Sequence, residues 1–303
     1  MRRTIGMSEI RAALTGVKGA VRFHEPMRLH TSFRIGGPAD AYIEPENETA
    51  LCRLMAQARR TKVPVFVMGG TNLLVRDGGI RGIVVRLTRL DRVEEHQGGL
   101  LYAEGGVGMP RLLKYALQHR LAGLEFAAGI PGTLAGSVVM NAGTRLGEMQ
   151  DVVERVRMVT PEGEIVELSA GEVGFEYRST RLPRGIVAGV WLRLRWNPKA
   201  RMDTVVKDSL LRRKATQPLA LPNAGCVFKN PGGDPAGLLI ETAGLKGAQV
   251  GDAQVSTLHA NFIVNRGRAT ARDVLSLIRK VGQTVERKAG VTLQLEVRIV
   301  GQA

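Results

Sequence analysis

Cysteine is scarce in this sequence: its 303 residues contain only Cys52 and Cys226, in unrelated contexts. That excludes a disulfide framework and a CxxC metal or redox site, and it fits a reducing cytoplasm. No metal-ligand spacing joins the five histidines, His24, His30, His96, His119 and His259, so no metal site is indicated. The chain lacks a GxxxxGK[ST] loop and a GxGxxG fingerprint, which argues against a P-loop nucleotidase and against a standard Rossmann nicotinamide site. Long membrane-spanning runs are missing too. The charge-free stretch 126–144 carries Gly129, Pro131, Gly132, Gly136 and Gly143, a poor membrane helix that reads instead as a ligand loop. The opening MRRTIGMSEIRAAL breaks its apolar run at Ser8, Glu9 and Arg11, too soon for the apolar core of a signal peptide, so export is not expected.

What is present is a soluble, foldable composition, 44% hydrophobic and 23% charged, on a chain long enough for roughly two domains. The formal charge of +15 favours anionic partners such as nucleic acid, a membrane surface or a phosphorylated small molecule, and charge alone does not choose among them. The excess is mostly scattered arginine, with only short clusters at Arg59-Arg60 and Arg212-Arg213-Lys214. General surface charge explains it as well as a binding stripe does.

Periodicity predicts a helix over 48–60 with Leu51, Leu54, Met55 and Ala58 inward, then strands at 64–68, 73–75 and 80–87 around the turn Asp77-Gly78-Gly79. A strand near Leu101 and a helix over 109–121 follow, and 152–160 with 164–168 form a hairpin about Pro161-Glu162-Gly163. The alternation of VWLRLRW predicts a further strand over 189–196. A composition shift after Asn197-Pro198 marks a domain boundary near 198, followed by a basic helix over 204–214. Beyond it lie a short helix at 234–243, a strand at 261–264, a long helix capped by Thr270 and a closing alternating strand, LQLEVRIV.

Two glycine-rich segments carry chemistry. In MGGTNLLV (68–75) paired glycines directly follow a strand, where bare backbone can approach an anion, although a plain turn would look the same. In AAGIPGTLAGSVVMNAG (127–143) small residues would let a long cofactor lie against backbone, and Gly132-Thr133 could open a helix toward a pyrophosphate; a packed core turn is the alternative. Their joint occurrence points to one extended ligand.

These segments also recur in a recognisable order with TSFRIGGPAD (31–40), FEYRST (175–180), NAGCVFKNP (223–231) and HANFIVN (259–265). Over residues 20–301 the set resembles the UDP-N-acetylenolpyruvoylglucosamine reductases, flavoenzymes of bacterial cell-wall precursor synthesis. The direct run from FEYRST to VWLRLRW resembles the shorter form of that family, which lacks an inserted tyrosine-bearing loop. The resemblance implies an α+β chain with an FAD-binding PCMH-type, vanillyl-alcohol-oxidase-like two-part flavin fold and a C-terminal α/β substrate domain. It divides the chain into an extension at 1–20, FAD-binding subdomains at 21–87 and 88–197, and a substrate domain at 198–303. It further implies that NADPH reduces FAD and that the enolpyruvyl ether of UDP-N-acetylglucosamine is then reduced to UDP-N-acetylmuramate. The partners implied are the UDP-sugar and NADPH, without nucleic acid or membrane, for a cytoplasmic protein acting as a monomer.

Reducing an enol ether conjugated to a carboxylate adds hydride at the outer carbon, drives negative charge into the carboxylate and then needs a proton at the inner carbon. By family position Arg178 binds the carboxylate and stabilises the enolate, Glu296 assists it, and Cys226 is the acid, standing where many members have serine. Read without the resemblance, Arg178 is surface charge and Glu296 a solvated strand face, and Cys52 is an inert thiol on an apolar helix face. Cofactor contacts carried over are Gly69, Gly70, Thr71, Asn72 and Leu73 in the first loop and Ile130, Gly132, Gly136, Ser137, Asn141 and Gly143 in the second. Substrate contacts are Tyr177, Lys214 and Asn230, with Arg213 and Lys229 beside them. The rival readings are another PCMH-type FAD oxidoreductase acting on a sugar or alcohol, and a basic nucleic-acid-binding protein whose glycine turns are incidental.

Overall fold

A computed structural model describes residues 5–69, 71–198 and 201–303. Gly70, one of the glycines expected at the cofactor, lies outside the described residues. Helix and sheet are mixed along the chain, as the α+β reading expects. The chain divides into two compact units, the first made of Met1–Phe23, Asp40–Gly69 and Gly82–Leu211, the second of His24–Ala39, Gly70–Arg81 and Arg212–Ala303. Two stretches of the N-terminal third therefore fold with the C-terminal residues.

The first unit holds a five-stranded antiparallel sheet in the order Ile165–Ser169, Val153–Val159, Ile186–Arg193, Leu100–Glu104, Val93–His96. Its first pair is the hairpin expected about Pro161, closed by the Gly163 N–H donating to the Thr160 carbonyl at 3.0 Å. The inward residues Val156, Val159, Val190 and Leu192 are buried in one apolar core together with Leu51, Leu54, Met55 and Ile83. The helix Glu48–Thr61 supplies the first three of those, as its spacing requires. Asn47 caps it by accepting the Ala50 N–H at 2.9 Å, and it ends at Lys62 in the left-handed region. A short helix, Met7–Leu14, buries Ile10, Ala13 and Leu14 in the same core, so the stretch expected as a mere extension contributes to packing.

Two expectations shift at their ends. The helix expected over 109–121 stops at Gln118, because Arg120 adopts φ 57° and turns the chain, and Leu121–Ala122 become a short strand. That strand pairs with Arg195–Trp196, which explains why the strand expected over 189–196 breaks after Arg193. The Leu121–Trp196 pairing, 75 residues apart in sequence, decides both boundaries.

The second unit has its own core and a four-stranded antiparallel sheet in the order Asn223–Cys226, Phe262–Asn265, Ala253–Val255, Gln249–Val250. The long helix Ala271–Ala289 buries Val274, Leu277, Ile278, Val281 and Val285 in that core, the residues its periodicity selects. Thr270 caps it as expected, accepting the Asp273 N–H at 3.1 Å. Asp77 adds a second cap from the far N-terminal segment, accepting from the Ala271 and Arg272 N–H groups at 2.9 and 3.1 Å. Gly37 lies so close to the Asp77 turn that a Cβ there would stand 2.0 Å from the Asp77 carbonyl oxygen, so the GGP and DGG motifs meet backbone to backbone. The closing segment is a regular strand only at Arg298–Val300, which runs parallel to Leu73–Val75. Its expected alternation fails at Leu295, which is 39% exposed while Val297 is buried. Leu295 meets Phe228 in an isolated bridge instead.

Candidate active site

In the first unit the strand Val65–Val67 lies parallel to residues 83–85 and carries the chain into the first glycine loop, with the Met68 N–H still held by the Val85 carbonyl at 2.8 Å. Gly69 then meets the second glycine segment directly. A Cβ on Gly69 would stand 3.3 Å from the Gly136 Cα, and a Cβ on Gly136 would stand 3.5 Å from the Gly69 Cα. Two segments far apart in sequence thus share one surface of bare backbone, the kind of cradle that a flat, extended cofactor can lie against.

The helix that follows, Leu134–Val139, corrects one expectation. Its N–H groups at Leu134, Ala135, Gly136 and Ser137 donate to the Val107 and Gly105 carbonyls, the Thr133 hydroxyl and the Thr133 carbonyl at 2.8, 2.9, 3.3 and 2.9 Å. The four donors of Leu134–Ser137 are thus spent within the protein, so the anion contact expected here falls to the Gly132-Thr133 turn that precedes the helix. In the second unit Thr71 and Asn72 turn their carbonyls to the Ser32 hydroxyl and the Arg298 N–H at 3.1 and 2.9 Å. Because N–H and C=O of a trans peptide point oppositely, the N–H groups of Asn72 and Leu73 are directed away from those partners.

The roles expected for Asn141 and Gly143 also change. Asn141 is fully buried, and its amide is committed within the protein: Nδ2 donates to the Glu176 carbonyl at 3.1 Å and Oδ1 accepts the Gln150 N–H at 3.0 Å. Its side chain fastens the hairpin 175–180 rather than touching a ligand. Gly143 is required by packing, since a Cβ there would stand 2.4 Å from the Glu148 Cβ. Ile130 and Ser137 are both buried, whereas Gly132 is partly exposed and adopts φ 99°.

The hairpin pairs Phe175 with Thr180 and Glu176 with Ser179, leaving Tyr177 and Arg178 at its tip. The Thr180 hydroxyl donates to the Val139 carbonyl at 3.1 Å, a second fastening to the helix that carries Gly136. Arg178 adopts φ 57°, its guanidinium lies 5.3 Å from the centre of the Tyr177 ring, and its Nη1 is 3.5 Å from the Asn141 carbonyl oxygen. Tyr177 is half exposed. A half-buried cation on a doubly fastened tip can meet a carboxylate with little reorganisation.

In the second unit Cys226 ends the strand Asn223–Cys226 and pairs with Phe262. Gly225 before it adopts φ 76°, and its N–H donates to the Asn223 side chain at 2.9 Å. Glu296 is held one strand away, its N–H donating to the Val227 carbonyl at 2.9 Å. The residue that follows Cys226 is therefore hydrogen-bonded directly to the backbone of Glu296. Arg213 lies within electrostatic reach of Cys226: burial pushes its guanidinium pKa down and the thiol partly offsets that. Its Nε is buried with no hydrogen-bond partner. Lys214 is exposed and Lys229 half-buried. Exposed Asn230 accepts the Ala236 N–H at 3.1 Å, at the start of the helix Ala236–Thr242. Among the described residues no cluster of three or more His, Cys, Asp or Glu could hold a metal, and no helix is long and apolar enough to cross a membrane.

Sequence reasoning missed Asn261, which touches two residues next to Cys226; it stands inside HANFIVN, but nothing local marks its side chain as buried.

A family model for an FAD binding domain matches residues 39–169, and one for the C-terminal domain of UDP-N-acetylenolpyruvoylglucosamine reductase matches residues 217–300. The chain is 50% identical over 286 residues to UDP-N-acetylenolpyruvoylglucosamine reductase 2 of Symbiobacterium thermophilum, covering 93% of each chain. It is 45% identical to the reductase of Caldanaerobacter subterraneus subsp. tengcongensis, over 94% of this chain and 95% of that one. The crystal structure of the reductase from Thermus caldophilus superposes with a TM-score of 0.79 at 36% identity, over 94% of this chain and 99% of that one. With a reductase domain matched at one end, a flavin domain at the other and half the residues shared with a full-length relative, the chain belongs to the UDP-N-acetylenolpyruvoylglucosamine reductase family.

Proposed function

We propose that this chain reduces UDP-N-acetylenolpyruvoylglucosamine to UDP-N-acetylmuramate with NADPH and bound FAD, in peptidoglycan precursor synthesis, acting in the cytoplasm as a monomer. The observation that carries the reading is the meeting of Gly69 with Gly136, a backbone cradle in the region matched by the FAD model. Bound FAD would supply the chemistry of hydride transfer from NADPH to the outer carbon of the enolpyruvyl group. By the resemblance, Gly69, Gly70, Thr71, Asn72, Leu73, Ile130, Gly132, Gly136 and Ser137 would hold it, with the Asn72 and Leu73 N–H groups offered to its phosphates.

Arg178 binds the substrate carboxylate and takes up the negative charge that grows there, with Glu296 orienting the group. Cys226 gives its proton to the inner carbon; a thiol with a free pKa of about 8.5 is mostly protonated at neutral pH yet far more acidic than a hydroxyl. The thiolate left behind is stabilised by the Arg213 guanidinium. Tyr177, Arg213, Lys214, Lys229 and Asn230 receive the diphosphate and sugar.

The test is a two-step anaerobic titration. The purified protein should be yellow, NADPH should bleach it, and the UDP-enolpyruvyl sugar should restore the colour without oxygen. Restoration by oxygen alone would favour an oxidase on a sugar or alcohol, and a colourless protein that binds DNA in a salt-dependent way would favour the nucleic-acid reading. The cradle itself is tested by Gly69→Val. Gly69 has an ordinary backbone conformation, so the substitution acts by bulk against Gly136. The variant should fold with an unchanged circular dichroism spectrum and purify with most of its flavin missing, read from the ratio of visible to ultraviolet absorbance.

A further inference from the structure

We infer that Asn261 is the positioning residue that sets Cys226 against Glu296, its side-chain amide standing in for a missing strand partner beside Phe228. The inference rests on the reading of Cys226 and Glu296 given above. The segment after Cys226 runs between two neighbours. On one edge the Val227 carbonyl accepts the Glu296 N–H at 2.9 Å and the Lys229 N–H donates to the Gln294 carbonyl at 2.8 Å, with Phe228 opposite Leu295. Alternate residues of an extended strand turn their backbone groups to opposite edges, so Phe228 faces the other side. There the ladder to Phe262–Asn265 is irregular between Asn223 and Cys226 and ends at the Cys226–Phe262 pair.

Asn261, the residue just before that strand, supplies what the ladder lacks. Its main-chain carbonyl accepts the Val227 N–H at 2.9 Å, its Oδ1 accepts the Phe228 N–H at 3.0 Å, and its Nδ2 donates to the Phe228 carbonyl at 2.8 Å. A side-chain amide offers one face with a donor and an acceptor, as a peptide unit does. At 3% exposure it meets no competing water. Asn261 is itself tied, its N–H donating to His259 Nδ1 at 3.3 Å. Burial holds that imidazole below its ordinary pKa and so favours the neutral ring, and the Asn261 N–H selects the tautomer whose Nδ1 is the acceptor. The two residues that link Cys226 to Glu296 are thus both fixed from the Asn261 side.

Asn261→Ala should slow reoxidation of the reduced enzyme by the UDP-enolpyruvyl sugar by about 10-fold or more, while reduction by NADPH stays within about twofold. Amide hydrogen exchange in the peptide spanning 226–229 should accelerate. An unchanged reoxidation rate, or an equal loss in both half-reactions, overturns the inference. If the alanine variant is insoluble, Asn261→Asp decides. Its carboxyl restores both bonds only when protonated, so its reoxidation deficit against the unmodified protein at the same pH should shrink from about pH 9 to about pH 5.5. A deficit that does not shrink, or none at the upper end, overturns it. Cys226→Ala run alongside separates the two readings: fast reoxidation there defeats the role of Cys226 itself, whereas slow reoxidation there with fast reoxidation in Asn261→Ala defeats only the positioning role.

Discussion

Cys226→Ala should leave reduction by NADPH intact and slow reoxidation by the UDP-enolpyruvyl sugar by roughly 100- to 10,000-fold, the usual worth of a placed general acid. The selectivity follows from the chemistry. Hydride arrival at the outer carbon leaves an enolate, which only proton delivery at the inner carbon can trap; the reductive step has no such demand. Stopped-flow absorbance of the two half-reactions reads both numbers in one preparation. Cys226→Ser should retain much of the activity, because a hydroxyl also carries a proton, although without the thiol's acidity. The size of the serine deficit should depend on Arg213, whose guanidinium favours the anionic form of whichever group has just lost its proton. An alanine variant with unchanged reoxidation removes Cys226 from the mechanism.

How much of this could be read in advance differs between fold and site. The hairpin about Pro161 and the helix after Thr270 were legible because their signals are local: turn residues between alternating runs, and a capping pair before an apolar stripe. The division of the chain was not. Asp77 caps a helix that begins 194 residues later, and no property of DGG announces that partner. The helix ending at Gln118 and the strand broken after Arg193 fail for one shared reason, a pairing of Leu121 with Trp196 that neither local pattern contains.

At the site, the glycine segments were legible as places where backbone could approach a ligand, and Gly69 and Gly136 do meet. What spacing could not show is which donors are already taken. The N–H groups of Leu134 and Ala135 are occupied by the Val107 and Gly105 carbonyls, long-range partners in sequence, and so these two donors of a helix start that looks like an anion site are closed to a ligand. The same holds for Asn141, whose residue type suits ligand contact and whose burial assigns it to the hairpin.

Arg178→Ala should cost about 100- to 1,000-fold in the rate of reoxidation, as loss of a donor aimed at developing negative charge does, and should also raise the substrate concentration needed for half-maximal rate. Reduction by NADPH should change little. The hairpin makes this test clean. Arg178 sits at φ 57°, a conformation that costs any non-glycine L-residue about 1 kcal/mol, so alanine and lysine carry a backbone penalty comparable to that of arginine. The tip is fastened by the Asn141 amide and the Thr180 hydroxyl, neither of which involves the Arg178 side chain. A difference between the variants therefore reports on the guanidinium. Arg178→Lys returns a positive charge without the planar two-pronged donor, and it should fall between alanine and arginine, closer to alanine if the carboxylate is held in a bidentate grip. Melting temperatures should stay within a few degrees of one another, since the half-buried side chain sits at a hairpin tip and belongs to neither apolar core. Equal reoxidation rates in all three proteins would place the carboxylate on some other cation, and Arg178 would then be surface charge after all.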